Sequence, residues 1–160
     1  MTRTVRLSER ESAEKTRLRL WLKLLKVSRQ IEGELRDNFR GEFSTTLPRF
    51  DVMAALYRFP KGLRMNELSA VLKVSNGNVT GIVDRLVNDS FIVRVAVPGD
   101  RRALLVQLTP AGKKEFLQQA AAHEGWVNSL LGNVSVEDAE IMLELADKAI
   151  LPSTGEYPDS

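Results

Sequence analysis

From about Lys15 onward, Trp21, Leu25, Ser28, Ile31, Leu35 and Phe39 fall three or four positions apart, which places them on one stripe of a helix of about 25 residues. At 1.5 Å per residue such a helix is about 37 Å long, more than a small monomeric core needs. A partner helix, supplied by a second chain, accounts for the excess. Residues 1–14 are polar and poorly periodic and read as an arm or a frayed first turn. Pro48 suits the first turn of a second helix, with Phe50, Met53, Ala54 and Tyr57 on its apolar face. Pro60 and Gly62 end it. A short third helix buries Met65, Leu68, Val71 and Leu72, and a tight joint at Lys73-Val74 follows. Ser75 is placed to cap a fourth helix, accepting an orphan backbone N–H, and Val79, Ile82, Val83, Leu86 and Val87 form its stripe.

The period then changes. Residues 91–97 are rich in β-branched types, Pro98-Gly99-Asp100 is a turn signal, and residues 103–108 return as a second strand. Thr109-Pro110 restarts helix, as a cap followed by an N1 proline, to about Leu131. Gly132-Asn133 breaks it, and Ser135 caps a last helix bearing Met142, Leu145, Ala146 and Ile150. Pro152, Gly155 and Pro158 predict a non-helical tail. The fold class is mainly α with a β-hairpin wing: a winged helix-turn-helix over residues 47–109, flanked by long dimerisation helices at 15–45 and 110–150.

Charge sharpens this reading. The 160 residues carry a net charge of +2, distributed very unevenly. Residues 1–30 hold nine basic and three acidic side chains, residues 61–114 nine and four, and residues 115–160 one and nine. The basic segments suit a polyanion and the C-terminal one repels it. There is no cysteine and one histidine, so thiol chemistry is excluded and a zinc site has no ligand set. No P-loop or dinucleotide glycine pattern occurs, which argues against an enzyme. No run of about 18 apolar residues and no signal-peptide core is present, so a cytoplasmic location is expected.

Two helices joined by a tight turn can lay the second in the major groove of DNA. Its N-terminal half holds Ser75, Asn76, Gly77, Asn78, Thr80 and Gly81, away from the apolar stripe. Asn can bond adenine bidentately, and Thr offers a hydroxyl and a methyl. Asn and Gly are also ordinary helix-start residues. The hairpin adds Arg94 on one strand and Asp100, Arg101 and Arg102 at its tip, a basic projection able to reach phosphate or the minor groove. Asp100 is assigned a structural role, pairing with Arg102 or Arg94, which leaves Arg101 for DNA.

The run Leu47–Gly112 resembles the MarR family of winged helix-turn-helix regulators. The matching pieces are Glu67-Leu68, Val74-Ser75, Val79-Thr80, Val83-Asp84-Arg85-Leu86, Asp100-Arg101-Arg102 and Leu108-Thr109-Pro110-Ala111-Gly112. Ser90 stands where members often carry Gly, which implies mild strain at a positive-φ position. The resemblance implies a homodimer on an imperfect palindrome of double-stranded DNA. Ser75, Asn76, Asn78 and Thr80 would face the groove, Arg85 a phosphate, and Arg101 would be the wing-tip contact; Arg94 and Arg102 are further DNA-binding candidates.

The stretches 18–21, 45–50, 74–81 and 120–126 are similar to a subgroup that represses hydroxycinnamate-degradation genes and responds to p-coumaroyl-CoA or feruloyl-CoA. Trp21, Leu22, Leu25, Phe39, Phe43, Phe50, Met53, Tyr57, His123 and Trp126 are candidates for an aromatic-rich space between the helices and the DNA-binding lobe, able on that resemblance to take the acyl group. Arg49 and the basic run Arg17, Arg19, Lys23, Lys26 and Arg29 are candidates for the CoA phosphates. For most of the apolar members a plain core role is the simpler reading. The alternative effector is a free phenolic or aromatic carboxylic acid.

Overall fold

The computed structural model describes the backbone of residues 2–150 and the side chains of residues 12–75 and 77–150. Helix α1 spans Thr2–Phe43. The stretch expected to be an arm is therefore helical from Thr2. The reason lies in its composition: no proline and no glycine occurs before Gly33, while Arg, Glu, Lys and Leu, all good helix formers, recur throughout. After it come α2 (Leu47–Arg58), β1 (Leu63–Arg64), α3 (Met65–Leu72), α4 (Asn76–Asn88), β2 (Ile92–Val97), β3 (Asp100–Leu108), α5 (Pro110–Leu130) and α6 (Val136–Ala149). The predicted non-helical tail at 152–158 lies outside the described residues.

The core is built around α2. Val52, Met53, Ala55 and Leu56 are essentially inaccessible and Phe50 nearly so. A helix buried on almost all sides cannot show a clean amphipathic stripe. That is why the sequence pattern picked out Phe50 and Met53 but missed Val52, Ala55 and Leu56, and it placed Tyr57, which is 44% exposed, among the buried. Helices α1, α3, α4 and α5 and strand β3 all pack on α2. Leu68 of α3 and Val79, Val83 and Leu86 of α4 close the helix-turn-helix core as their spacing predicts.

Three antiparallel strands lie in the order β1-β3-β2. Strand β1 is too short for any periodicity to reveal. It pairs Leu63 with Val106 and Arg64 with Leu105, and Gln107 Nε2 donates to the Lys61 carbonyl at 2.8 Å beside it. The hairpin is tighter than predicted. Its turn is Pro98-Gly99, with Gly99 at φ +82°, and Asp100 already opposes Val97. The next matched pair is Ala96 with Leu104, so Arg101, Arg102 and Ala103 sit in a bulge of β3.

Helix ends explain the motif around the joints. Ser90 has φ +64°. Its N–H donates to the Val87 carbonyl and the Phe91 N–H to Leu86, a Schellman closure of α4. The same closure ends α3, with Lys73 at φ +55°, its N–H on Ala70 and the Val74 N–H on Ser69. Thr109 Oγ1 accepts the Gly112 N–H at 2.9 Å and donates to the Ser90 carbonyl at 2.7 Å, while the Thr109 N–H reaches the Phe91 carbonyl. A Cβ on Gly112 would lie 2.0 Å from the Phe91 carbonyl oxygen. Thr109-Pro110-Ala111-Gly112 is thus the clip that fastens the start of α5 to the end of α4. Ser135 caps α6 as expected, accepting the Asp138 N–H at 3.1 Å. Ser75 does not behave as expected: it occupies the N-cap of α4 in extended conformation, but its side chain makes no capping hydrogen bond. Thr46 was missed; it accepts the Arg49 N–H and caps α2.

Candidate nucleic-acid interface

Along α4 the buried stripe Val79, Val83 and Leu86 fixes what the opposite side presents. Ser75, Gly77, Asn78, Thr80, Gly81 and Arg85 are all exposed. Asn76 begins the helix, and its side chain lies outside the described residues. A Cβ added at Gly77 or Gly81 meets nothing within 4 Å, so the most outward strip of α4 is open backbone. The helix therefore presents short polar side chains around a bare strip, and Ser75 keeps its hydroxyl out of the cap.

The wing stands beside it. Arg101 and Arg102 are exposed at the bulge. Asp100 Oδ1 accepts the Arg102 backbone N–H at 3.0 Å. Its anchoring is thus to the main chain of the loop, and the side-chain pairing with Arg102 or Arg94 is not formed. A two-residue reach favours this Asx-type bond over a long guanidinium folding back. Arg94 instead bonds Asp84 of α4 through Nη2 and Oδ1. This pair joins α4 to β2, so Arg94 sits between the two parts of the surface rather than at its rim. Sequence reasoning had Asp84 in hand within the 83–86 motif but had no way to see the contact across ten residues.

The aromatic candidates separate into two groups. Phe50 and Met53 are sealed in the core. Phe50 stacks on His123 with ring centroids 4.8 Å apart, and His123 stacks on Phe39 at 6.0 Å. Trp126 meets Phe39 edge-on at 5.0 Å, and its Nε1 donates to Glu42 Oε1 at 3.3 Å. Tyr57 packs on Phe116 at 4.8 Å. Burial holds the His123 imidazole below the usual histidine pKa, so it is neutral at physiological pH. Trp21, Leu22 and Arg29 are exposed on α1, and Leu25 is half-buried. Trp21 is 18 positions from Phe39 on one helix, roughly 27 Å away. Within one chain the set does not converge on a single cavity.

Arg49 belongs elsewhere. With Arg36 and Arg40 of α1 and Asn78, Gly81 and Arg85 of α4 it lines a cleft of about 730 Å³. A second cavity, of about 400 Å³, lies between α2, α3 and α4 and includes Asp51, Val74 and Asn78. Partial burial, then the Glu32 carboxylate, raises the Asp51 pKa from its ordinary value.

The order helix, turn, helix, hairpin, with long flanking helices, can be compared with known proteins. The MarR family model matches residues 43–103. The crystal structure of a MarR family transcriptional regulator from Silicibacter pomeroyi is 36% identical, with a TM-score of 0.69 over 86% of this chain and 92% of that one. The chain belongs to the MarR family. The transcriptional repressor YetL of Bacillus subtilis is 25% identical over 130 residues, which is 80% of this chain and 77% of that protein. A mutant MarR from E. coli complexed with operator DNA shares the fold at a TM-score of 0.72 and 23% identity, over 82% of this chain and 94% of that one. This MarR family member is accordingly a DNA-binding transcriptional regulator, and the non-enzymatic reading agrees with that membership. Among the described residues no group of three or more His, Asp or Glu side chains is placed to hold a metal ion, and no helix is long and apolar enough to cross a membrane.

Proposed function

We propose that the chain acts as a homodimeric repressor that binds an imperfect palindrome and releases it when an aromatic acyl-CoA thioester binds. The observation that carries the DNA half is the ion pair between Asp84 and Arg94, which holds the wing against the flank of a helix whose outward side is polar and open. Ser75, Asn76, Asn78 and Thr80 then address base edges, and Arg101 and Arg102 the backbone or minor groove. Arg85 takes a phosphate. The name of YetL, a repressor, supports repression as the mode.

The dimeric half rests on α6, which buries none of its residues within its own chain and exposes Val136, Ile141, Met142, Leu143 and Leu145. Residues 15–45 and 110–150 are the dimerisation helices on this reading, and residues 47–109 form the DNA-binding lobe.

For the effector, the resemblance to the hydroxycinnamate subgroup favours p-coumaroyl-CoA or feruloyl-CoA. The supporting feature is the exposed basic run Arg17, Arg19, Lys23, Lys26 and Arg29 beside exposed Trp21 and Leu22, an arrangement suited to a molecule with a phosphate-rich end and a flat apolar end. An effector of this kind shifts DNA affinity only if it binds the free and DNA-bound forms differently. Calorimetry with the thioester and with the free acid tests the point. The thioester is expected to bind far more tightly and to displace a labelled palindromic duplex. Equal binding of the free acid would establish the alternative, a sensor of phenolic or aromatic carboxylic acids.

A further inference from the structure

The cleft between α1, the start of α2 and α4 has an unusual wall. Its charged lining residues are four arginines, Arg36, Arg40, Arg49 and Arg85, and no carboxylate lines it. Arg36 is partly occupied by Glu32, one turn back on the same helix, at 3.2 Å. Arg40, Arg49 and Arg85 form no ion pair among the described residues. Like charges gathered in one concavity repel each other and focus a positive potential that an anion relieves.

The position of the cleft says which anion. One wall is the flank of α4 itself, at Asn78, Gly81 and Arg85, residues that recur one turn apart. On the helical wheel Arg85 lies 100° from Asp84, the residue that holds the wing. The recognition helix is therefore bordered by basic groups on both flanks: the wing arginines on one, the arginine cleft on the other. A major groove is likewise bordered by two phosphate backbones.

We propose that this cleft seats the sugar–phosphate backbone of the operator strand opposite the wing, with Arg40 and Arg49 as its principal phosphate contacts. This makes α1, otherwise a dimerisation helix, part of the DNA-binding surface. The inference rests on the DNA-binding reading above and extends it to residues that no part of that reading assigns to DNA.

The test is the salt dependence of duplex binding by wild type, Arg40→Gln, Arg49→Gln and the double variant. Each phosphate contact removed lowers the slope of log K against log salt by about 0.9. Each single variant is expected to lose about that much and the double variant about twice as much. Operator and unrelated duplex should weaken by the same factor, so discrimination is unchanged. Phosphate ethylation interference on the flank opposite the wing should appear with wild type and vanish with the double variant. Unchanged slopes and interference would overturn the inference while leaving DNA binding intact. A titration with inorganic pyrophosphate that saturates the cleft without displacing duplex would also overturn it, assigning the cleft to a small anion. Failure of wild type to bind any duplex would instead bring down the DNA-binding reading, and this inference with it.

Discussion

At the scale of single residues, the joint between α4 and α5 turns on two positions whose backbones make opposite demands. Ser90 holds φ +64° while carrying a Cβ, a conformation that costs a non-glycine residue about 1 kcal/mol. Gly112 has an ordinary φ but no room, since its Cβ would meet the Phe91 carbonyl oxygen at 2.0 Å. Ser90→Gly is therefore expected to raise stability by up to about 1 kcal/mol, a rise of roughly 2–4 °C in Tm. Gly112→Ala is expected to cost about 3 kcal/mol or to prevent folding, because the obstacle is backbone and cannot swing aside. Thermal melts followed by circular dichroism measure both. A harmless Gly112→Ala would mean the clip at Thr109 is looser than its hydrogen bonds imply. The first demand was legible through the family resemblance, since members often carry Gly where this chain has Ser90, and the positive φ expected there is found. The second was not legible, because the crowding at Gly112 arises from a strand end 21 residues earlier in the chain.

At the scale of elements, the legible features were those made by neighbours in sequence. Helix α4, the turn at Lys73, the caps at Thr109 and Ser135, and the strand character of residues 91–97 all follow from local spacing and turn chemistry. Contacts between elements were not legible: β1, the all-round burial of α2, and the pairing of Arg94 with Asp84 instead of Asp100. That pairing makes a prediction whose sign is decisive. An exposed ion pair contributes about 0–1 kcal/mol, so Asp84→Asn should barely move Tm. Removing a negative charge beside DNA would by charge alone tighten binding. If the pair sets the angle of the wing, Asp84→Asn should instead weaken operator binding, on the order of tenfold, because a misplaced wing loses its contacts. The reversed pair Asp84→Arg with Arg94→Asp should recover most of the loss. Tighter binding by Asp84→Asn would show that the wing needs no tether. His123 gives a second check, at the meeting of α1, α2 and α5. Its folded-state pKa lies below the ordinary 6.5, so the unfolded chain takes up a proton that the folded chain refuses. Stability is full above about pH 6.5 and falls as the pH drops below it. His123→Phe, which keeps a ring between Phe39 and Phe50, should flatten the decline of Tm between pH 7 and pH 5. An equal decline in both proteins would place the acid sensitivity elsewhere.

At the scale of the whole molecule, one chain leaves its two ends unsatisfied in complementary ways. Helix α1 exposes Leu18, Leu20, Trp21, Leu22 and Leu24, and α6 exposes Ile141, Met142, Leu143 and Leu145. Burying one such side chain is worth about 1.5–3 kcal/mol, and a cluster of them far exceeds the scattered apolar exposure of an ordinary monomer surface. Charge matches the same pairing: residues 1–30 carry an excess of six positive charges and residues 115–160 an excess of eight negative ones. The opposite charges of the two regions favour their approach across a twofold axis. Leu145→Glu places a charge in the middle of that apolar set with little disturbance to its own chain, since Leu145 is 56% exposed. The variant should keep its fold by circular dichroism. It should sediment as a monomer at micromolar concentration where wild type is a dimer. Its affinity for a palindrome should fall toward that for a single half-site, because two recognition helices act together only while the two chains are joined. A Leu145→Glu protein that sediments as wild type does would move the interface off α6, and a wild-type chain that stays monomeric would remove the symmetry on which palindrome recognition depends.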